Sequence, residues 1–266
     1  MPDATDVEWR PLAGRLHAEI TGDDTDHRIV FLHGFTQTLQ SWRPIADEFA
    51  RRGYQCVLFD LPGHGESGTV RADLRRTADM IAPLGGKATY VGYSLGGRVC
   101  LHVALMYPHL VRSLVLIGAN PGIDDDDERA RRRDADHDLA DHLREVGVEA
   151  FLHEWTTQPL FGGLALSTDD LADRARNTDD GLATSLTLAG TGAQGSLWPR
   201  LRELNMPVLA MAGADDAKFV AIAEQIATAV PRGRSLLVPE AAHAAHLQQP
   251  QAVVDAIAGM LPPPAA

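Results

Sequence analysis

The sequence predicts an α/β fold with a mostly parallel central sheet flanked by helices and a helical lid insertion. Short apolar runs rich in β-branched residues alternate with amphipathic stretches, which is the pattern of a parallel sheet covered by helices. The alternation stops between Pro121 and Leu204, where no strand pattern occurs and arginine, aspartate and histidine recur. We therefore expect residues 1–120 and 205–266 to form one core domain and residues 121–204 to form the lid.

The order of the predicted elements follows from these runs. Strands are expected at residues 28–32, 55–59, 88–91, 113–117, 207–212 and 234–238. Helices are expected near residues 41–50, 74–82, 95–106, 217–229 and 250–260. Residues 7–20 are expected to form a hairpin or edge strands, and residues 262–266 a frayed tail. Since ligands bind at the carboxyl ends of parallel strands, the lid is expected to cover that edge and to set substrate specificity.

The composition restricts the partners and the compartment. A net charge of −12 and a pI of about 5.3 argue against a nucleic-acid or anionic-membrane partner. The first residues lack the basic and apolar regions of a signal peptide, and no apolar run is long enough to span a bilayer. Cys56 and Cys100 are expected to be buried free thiols rather than a disulfide or zinc ligands. The sequence therefore predicts a cytoplasmic protein without metal or cofactor, and it does not distinguish a monomer from a homo-oligomer.

A G-x-S-x-G pentapeptide, Gly92–Gly96, lies where the predicted strand at residues 88–91 gives way to the predicted helix at residues 95–106. A sharp turn between strand and helix exposes a serine, and only small flanking residues let the two backbones pass. Such a serine reacts weakly unless other side chains activate it. Ser94 is therefore the candidate catalytic serine.

An aspartate and a histidine follow later strands, where the partners of such a serine are found. Asp216 follows the fifth predicted strand, and His243 follows the last one. The chain order Ser94, Asp216, His243 is that of the α/β-hydrolase fold, whereas chymotrypsin and subtilisin have other orders. Asp215 remains an alternative to Asp216, and His246 is a weaker alternative to His243.

The loop after the first predicted parallel strand carries the sequence His33-Gly34-Phe35. In this fold that loop donates one backbone N–H to an oxyanion hole, and the residue after the serine donates the other. We therefore expect the N–H groups of Phe35 and Leu95 to stabilise a developing negative charge.

Arginines near the serine and in the lid restrict the substrate class. Arg98 lies one helical turn after Ser94, where it either forms a structural ion pair or binds a substrate carboxylate. Residues 131–133, Arg174 and Arg176 would by themselves most often form a solvated helix face. Together with Arg98 they offer the paired donors that bind carboxylates best, which favours a small anionic substrate with several carboxylates.

Several motifs carry a family resemblance, and those in the predicted lid are the most specific. They are His33–Phe35 with Trp42, Asp60–Ser67, Gly92–Arg98, Glu128–Arg133, Phe151–Phe161, Arg176-Asn177, Gly190–Trp198 and Asp216–Phe219. From about residue 30 to residue 250 the chain resembles the 2-succinyl-6-hydroxy-2,4-cyclohexadiene-1-carboxylate synthases, which are α/β-hydrolase-fold lyases of menaquinone biosynthesis.

The resemblance implies a substrate pocket that is lined by Tyr93, Arg98, Arg132, Trp155 and Arg176. It also implies that the arginines of this pocket bind carboxylates. The choice of Arg132 over its two neighbours depends on the helical register alone. The resemblance further implies a reaction in which 2-succinyl-5-enolpyruvyl-6-hydroxy-3-cyclohexene-1-carboxylate loses pyruvate, with the serine, histidine and aspartate acting as a general base. The alternatives are a carboxylesterase or carbon–carbon bond hydrolase with a nucleophilic serine, or a ligand-binding protein without activity.

Overall fold

Eight strands form one central sheet in the computed structural model, which describes residues 7–22 and 27–261. The frayed tail predicted at residues 262–266 and the first six residues of the predicted core domain lie outside the described residues. The strands are β1 (Trp9–Pro11), β2 (Ala18–Thr21), β3 (Arg28–Leu32), β4 (Gln55–Phe59), β5 (Ala88–Tyr93), β6 (Val111–Ile117), β7 (Val208–Gly213) and β8 (Gly233–Val238).

The strand order is β1-β2-β4-β3-β5-β6-β7-β8. Neighbours from β4 to β8 are parallel, whereas β1 and β2 pair in an antiparallel hairpin at one edge. All six predicted strands are present with ends within two residues of the prediction, and the predicted leading hairpin is present as well. The α/β prediction is therefore confirmed.

Both faces of the sheet are buried, which explains why its central strands are continuous apolar runs. Along β3, Ile29 and Phe31 pack into the core on one face, and Val30 and Leu32 pack into the core on the other. Successive side chains of a strand point to opposite faces, so a strand covered by helices on both sides is apolar throughout.

The helices that cover these faces agree with the predicted ones. They are α1 (Arg43–Arg51), α2 (Leu74–Gly85), α3 (Leu95–Met106), α4 (Asp126–Thr156), α5 (Thr168–Arg174), α6 (Asp179–Ala189), α7 (Ala217–Ala229), α8 (Ala245–Gln248) and α9 (Pro250–Ala258). Helices α4 to α6 form the insertion between β6 and β7, so the predicted strand-free stretch is confirmed as helical.

The inserted helices have an apolar core of their own. Helix α4 begins at the Asp125 cap, whose side chain accepts from the Glu128 N–H, and it is broken at Gly147, where φ is 80°. Beyond the break it packs on α6 through a cluster that includes Phe151 and Leu182, both of them buried. This cluster gives the insertion a packed core of its own.

Two further sequence expectations concern thiols and membranes. Cys56 and Cys100 are free and buried, as expected. Of the helices in the described part of the chain, none is both long and apolar enough to cross a membrane.

Candidate active site

Ser94 occupies a strained turn between β5 and α3. Its φ of 48° and ψ of −105° lie in a region that residues with a side chain rarely adopt. A Cβ at Gly92 would clash with the backbone of Gly96, and a Cβ at Gly96 would clash with the backbone of Leu32. The glycines of the pentapeptide therefore permit the close backbone approach that holds the serine at the carboxyl edge of the sheet.

His243 connects Ser94 and Asp216 by hydrogen bonds. Its Nε2 lies 3.2 Å from the Ser94 Oγ, and its Nδ1 lies 3.0 Å from the Asp216 Oδ2. An ionised carboxylate only accepts hydrogen bonds, so Nδ1 carries the proton and Nε2 is left to accept the serine proton. Asp216 and His243 are both buried. The arrangement has the polarity that activates a serine hydroxyl.

The alternative acid and base lie elsewhere. Asp215 is exposed. His246 is buried, and the centroid of its ring lies 4.2 Å from that of Tyr93 with the two planes tilted by 40°. Its Nε2 lies 3.1 Å from the Gln37 amide nitrogen. Burial lowers the pKa of His246 well below its ordinary value, which keeps the ring neutral. The structure therefore brings Asp216 and His243 to Ser94, and neither alternative.

Phe35 and Leu95 both line the cavity that contains Ser94. Within residues 7–22 and 27–261, neither N–H group donates a hydrogen bond outside regular helix or strand pairing. Leu95 is the first residue of α3, where backbone N–H groups have no partner inside the helix. Both groups are thus free to donate to a ligand oxygen.

The cavity has a volume of about 160 Å³ and lies between the carboxyl edge of the sheet and the inserted helices. Ser94 and His243 form part of its wall. Of the five residues that the family resemblance assigns to a substrate pocket, four line it, namely Tyr93, Arg98, Arg132 and Trp155. The cavity therefore combines the serine and histidine with two guanidinium groups and aromatic surface.

Arg98 is buried without a direct ion pair to any carboxylate of the described residues. Its Nη1 donates to the Gln194 Oε1 at 3.3 Å. The nearby Asp136 carboxylate instead accepts from the Arg132 Nε at 2.7 Å and from the Gly192 N–H at 2.9 Å. Burial lowers the pKa of Arg98 to about 10, and the charge of Asp136 opposes that shift, so the guanidinium stays charged at neutral pH. Its charge is only partly compensated, which leaves it able to bind an anion.

Among the three consecutive arginines of the inserted helix α4, Arg132 is the one that lines the cavity. It lies on α4 one turn before Asp136, its ion-pair partner, and both residues line the cavity. Arg131 and Arg133 are exposed and do not line it. The helical register alone therefore selects Arg132, because only one of three consecutive side chains points to the cavity face.

Arg176 does not line the cavity, contrary to the expectation from the family resemblance. Its guanidinium lies 3.0 Å from a carboxylate oxygen of Glu66 and 3.1 Å from one of Asp173, and its side chain is 46% exposed. These two carboxylates hold it at the surface. Arg174, two residues earlier, is the buried arginine of this segment, and its Nη1 donates to the Thr36 Oγ1 at 2.6 Å.

Lys218 and Phe219 are among the residues of the cavity wall that sequence reasoning did not identify. Phe219 packs against the His243 ring with centroids 4.3 Å apart, and Lys218 lines the cavity beside it. One signal was available: Lys218 lies in the first turn of α7, where the helix dipole disfavours a cation. No cluster of three or more histidine, cysteine, aspartate or glutamate side chains in the described residues is arranged to hold a metal ion.

Known proteins resemble the chain over most of its length. The α/β-hydrolase fold family profile matches residues 27–250. A Bacillus subtilis (strain 168) protein, provisionally named 2-succinyl-6-hydroxy-2,4-cyclohexadiene-1-carboxylate synthase, is 36% identical to this chain. The aligned region covers 86% of this chain and 88% of the Bacillus subtilis protein. The synthase of that name from Salmonella paratyphi C (strain RKS4594) is 33% identical over 92% of this chain and 98% of its own. The solved structure of MenH from S. aureus has a TM-score of 0.85 and 29% identity, and covers 92% of this chain and 97% of its own.

Proposed function

The chain belongs to the 2-succinyl-6-hydroxy-2,4-cyclohexadiene-1-carboxylate synthase family and is a lyase on the α/β-hydrolase fold, and we propose that its reaction takes place in the cavity around Ser94. The substrate is 2-succinyl-5-enolpyruvyl-6-hydroxy-3-cyclohexene-1-carboxylate, which loses pyruvate. The observation that carries the proposal is that an activated serine and two arginines line the same cavity. Cleavage of a neutral ester does not require those arginines, whereas recognition of several carboxylates does.

Substrate binding is assigned to the charged and aromatic wall of the cavity. The guanidinium groups of Arg98 and Arg132 would each bind a carboxylate, since a planar guanidinium matches a carboxylate with two parallel hydrogen bonds. Burial raises the pKa of Tyr93, so its hydroxyl stays protonated and can donate. Lys218 adds a third cation at the wall, and Trp155 supplies apolar surface for the ring. These local charges would attract an anion to a protein whose net charge is −12.

Proton abstraction is assigned to Ser94 and His243. The His243 Nε2 takes the serine proton, and the serine oxygen takes the ring proton next to the succinyl carbonyl. Asp216 holds the histidine Nδ1–H and stabilises the imidazolium that forms. The serine acts here as a base, so no acyl-enzyme forms.

Charge stabilisation and departure of the leaving group complete the elimination. Electrons from the broken C–H bond first move onto the succinyl carbonyl oxygen, where the N–H groups of Phe35 and Leu95 would donate to the developing oxyanion. They then return through the ring double bond and expel the enolpyruvyl oxygen with the C–O electron pair. The His243 imidazolium returns a proton to the released enolate, which becomes pyruvate, and the ring is left as a diene.

We also propose that residues 121–204 act as the lid domain over this site and that the protein resides in the cytoplasm. Arg132 and Trp155 of the insertion share the cavity with Ser94, which supports a lid that sets specificity. Two free buried thiols are compatible with a reducing compartment.

Pyruvate release tests the proposed function. The purified protein is mixed with the enolpyruvyl substrate, and pyruvate is followed through lactate dehydrogenase and NADH consumption, with Ser94→Ala as the inactive control. Wild-type turnover that Ser94→Ala abolishes supports the proposal. Efficient cleavage of p-nitrophenyl esters without pyruvate release would replace it with a hydrolase, and binding of the substrate without turnover would indicate a ligand-binding protein.

A further inference from the structure

A short lid segment, residues 173–177, holds the loop at residues 33–38, which we call the oxyanion loop. The Thr38 Oγ1 donates to the Asp173 Oδ2 at 2.6 Å, and the Arg174 Nη1 donates to the Thr36 Oγ1 at 2.6 Å. The Asn177 Nδ2 donates to the Thr36 carbonyl oxygen at 2.9 Å. Three residues of one lid segment thus contact two residues of this loop, next to Phe35.

Thr36 has a backbone conformation that its own sequence disfavours. Its φ of 68° is in the left-handed region, which a β-branched residue adopts only when its surroundings impose it. The residue is completely buried, and its N–H donates to the His64 Nε2 at 3.3 Å. Its N–H, hydroxyl and carbonyl oxygen are therefore all held by other segments.

Asn177 connects the oxyanion loop to a second loop, the one that follows β4. Its Oδ1 accepts from the Gly65 N–H at 2.8 Å, while its Nδ2 donates to the carbonyl oxygens of both Thr36 and Arg174. The side chain is buried, and both ends of its amide are used. An amide that satisfies three backbone groups of three segments fixes their relative positions.

We propose that Asn177 is a positioning residue for the oxyanion hole. Its hydrogen bond to the Thr36 carbonyl oxygen, together with the bonds that hold the Thr36 N–H and hydroxyl, maintains the positive φ of Thr36, and that dihedral orients the peptide that joins Phe35 to Thr36. This peptide anchors the Cα of Phe35, to which the Phe35 N–H is attached on the other side. The N–H of Phe35 is therefore held toward the developing oxyanion only while the lid segment is docked. This inference rests on the proposed function in one respect, namely that Phe35 is an oxyanion donor.

The test compares Asn177→Asp and Asn177→Ala with a matched lid variant, Thr178→Ala. Asn177→Asp keeps an acceptor for the Gly65 N–H but places an oxygen against the Thr36 carbonyl oxygen. Thr178 caps α6 by accepting from the Gly181 N–H, so its loss lowers the melting temperature without touching the oxyanion loop. We expect both Asn177 variants to lose kcat by about 10- to 100-fold with KM changed by less than about threefold, because an oxyanion donor acts on the transition state.

Several results would overturn the inference. One is a kcat within about threefold of wild type in both Asn177 variants, with a melting temperature lowered as in Thr178→Ala, since that outcome marks a merely structural residue. Another is a raised KM at constant kcat, which marks a substrate ligand. If the wild type releases no pyruvate, the proposed function fails by itself, and the same kcat comparison is made on p-nitrophenyl acetate, whose hydrolysis also develops an oxyanion. A wild type inactive on both substrates overturns both proposals.

Discussion

Replacing Arg98 by methionine removes the most deeply buried cation of the cavity while keeping an unbranched side chain as far as the position of the arginine Nε. Arg98 is 8% exposed, and its guanidinium donates a hydrogen bond to the Gln194 side chain at 3.3 Å. The Asp136 carboxylate is already hydrogen bonded to Arg132 and to the Gly192 N–H. The substitution therefore removes positive charge without leaving a buried carboxylate unpaired.

The magnitude follows from what Arg98 would bind. A hydrogen bond to a charged group contributes about 1.5–3 kcal/mol, and about 1.4 kcal/mol corresponds to a factor of ten in rate. Loss of one carboxylate contact should therefore lower kcat/KM for the enolpyruvyl substrate by roughly 10- to 150-fold. The free energy of unfolding should change by less than about 1 kcal/mol, since replacing a poorly paired buried cation with an apolar side chain is often neutral or stabilising.

The assay compares Arg98→Met with Arg131→Met, which removes an exposed arginine of the inserted helix α4 and should behave as wild type. Pyruvate release and urea denaturation are measured on both, together with cleavage of p-nitrophenyl acetate, which has no carboxylate to lose. An unchanged kcat/KM for the enolpyruvyl substrate would refute the carboxylate role. A loss of about 3 kcal/mol or more in unfolding free energy would show that Arg98 instead has a structural role.

Two further predictions concern strain and pH. Ser94→Gly and Ser94→Ala should both abolish turnover. The free energy of unfolding of the glycine variant should be about 1 kcal/mol higher than that of the alanine variant, because glycine adopts the φ of 48° without strain. Equal urea midpoints of the two variants would argue against stored strain at the turn. Burial lowers the pKa of His64 to about 4, and its Nε2 accepts from the Thr36 N–H, so the folded protein resists protonation of a ring that titrates near 6.5 when unfolded. The contribution of His64 to stability is therefore fully present above pH 6.5 and falls between pH 6.5 and pH 4. When the urea midpoint is measured from pH 7.5 down to pH 5, it should decline less steeply in His64→Asn than in wild type.

The sheet could be predicted from the sequence because its signals are local. Parallel strands buried on both faces are apolar throughout, as in β3, and β5 and α3 are joined by a pentapeptide whose glycines allow the turn. The positions of Asp216 and His243 also follow from local order, since each comes just after a strand whose carboxyl end lies at the same edge of the sheet. Each of these features depends on a few consecutive residues.

The side-chain directions in the lid could not be read in the same way. Arg174 and Arg176 are two residues apart, yet the first is buried on Thr36 and the second is held at the surface by Glu66. The difference is set by a carboxylate and a hydroxyl from parts of the chain more than a hundred residues away.

The sequence by itself determined the succession of strands and helices along the chain, the serine turn and the two loops that carry its acid and base, because spacing and apolar pattern suffice for these. Only the tertiary structure decided which lid arginine faces the cavity and that Thr36 adopts a positive φ. A β-branched residue disfavours that conformation locally, and hydrogen bonds from Arg174, Asn177 and His64 impose it. Contacts between distant segments outweigh local preference there, and no local pattern records them.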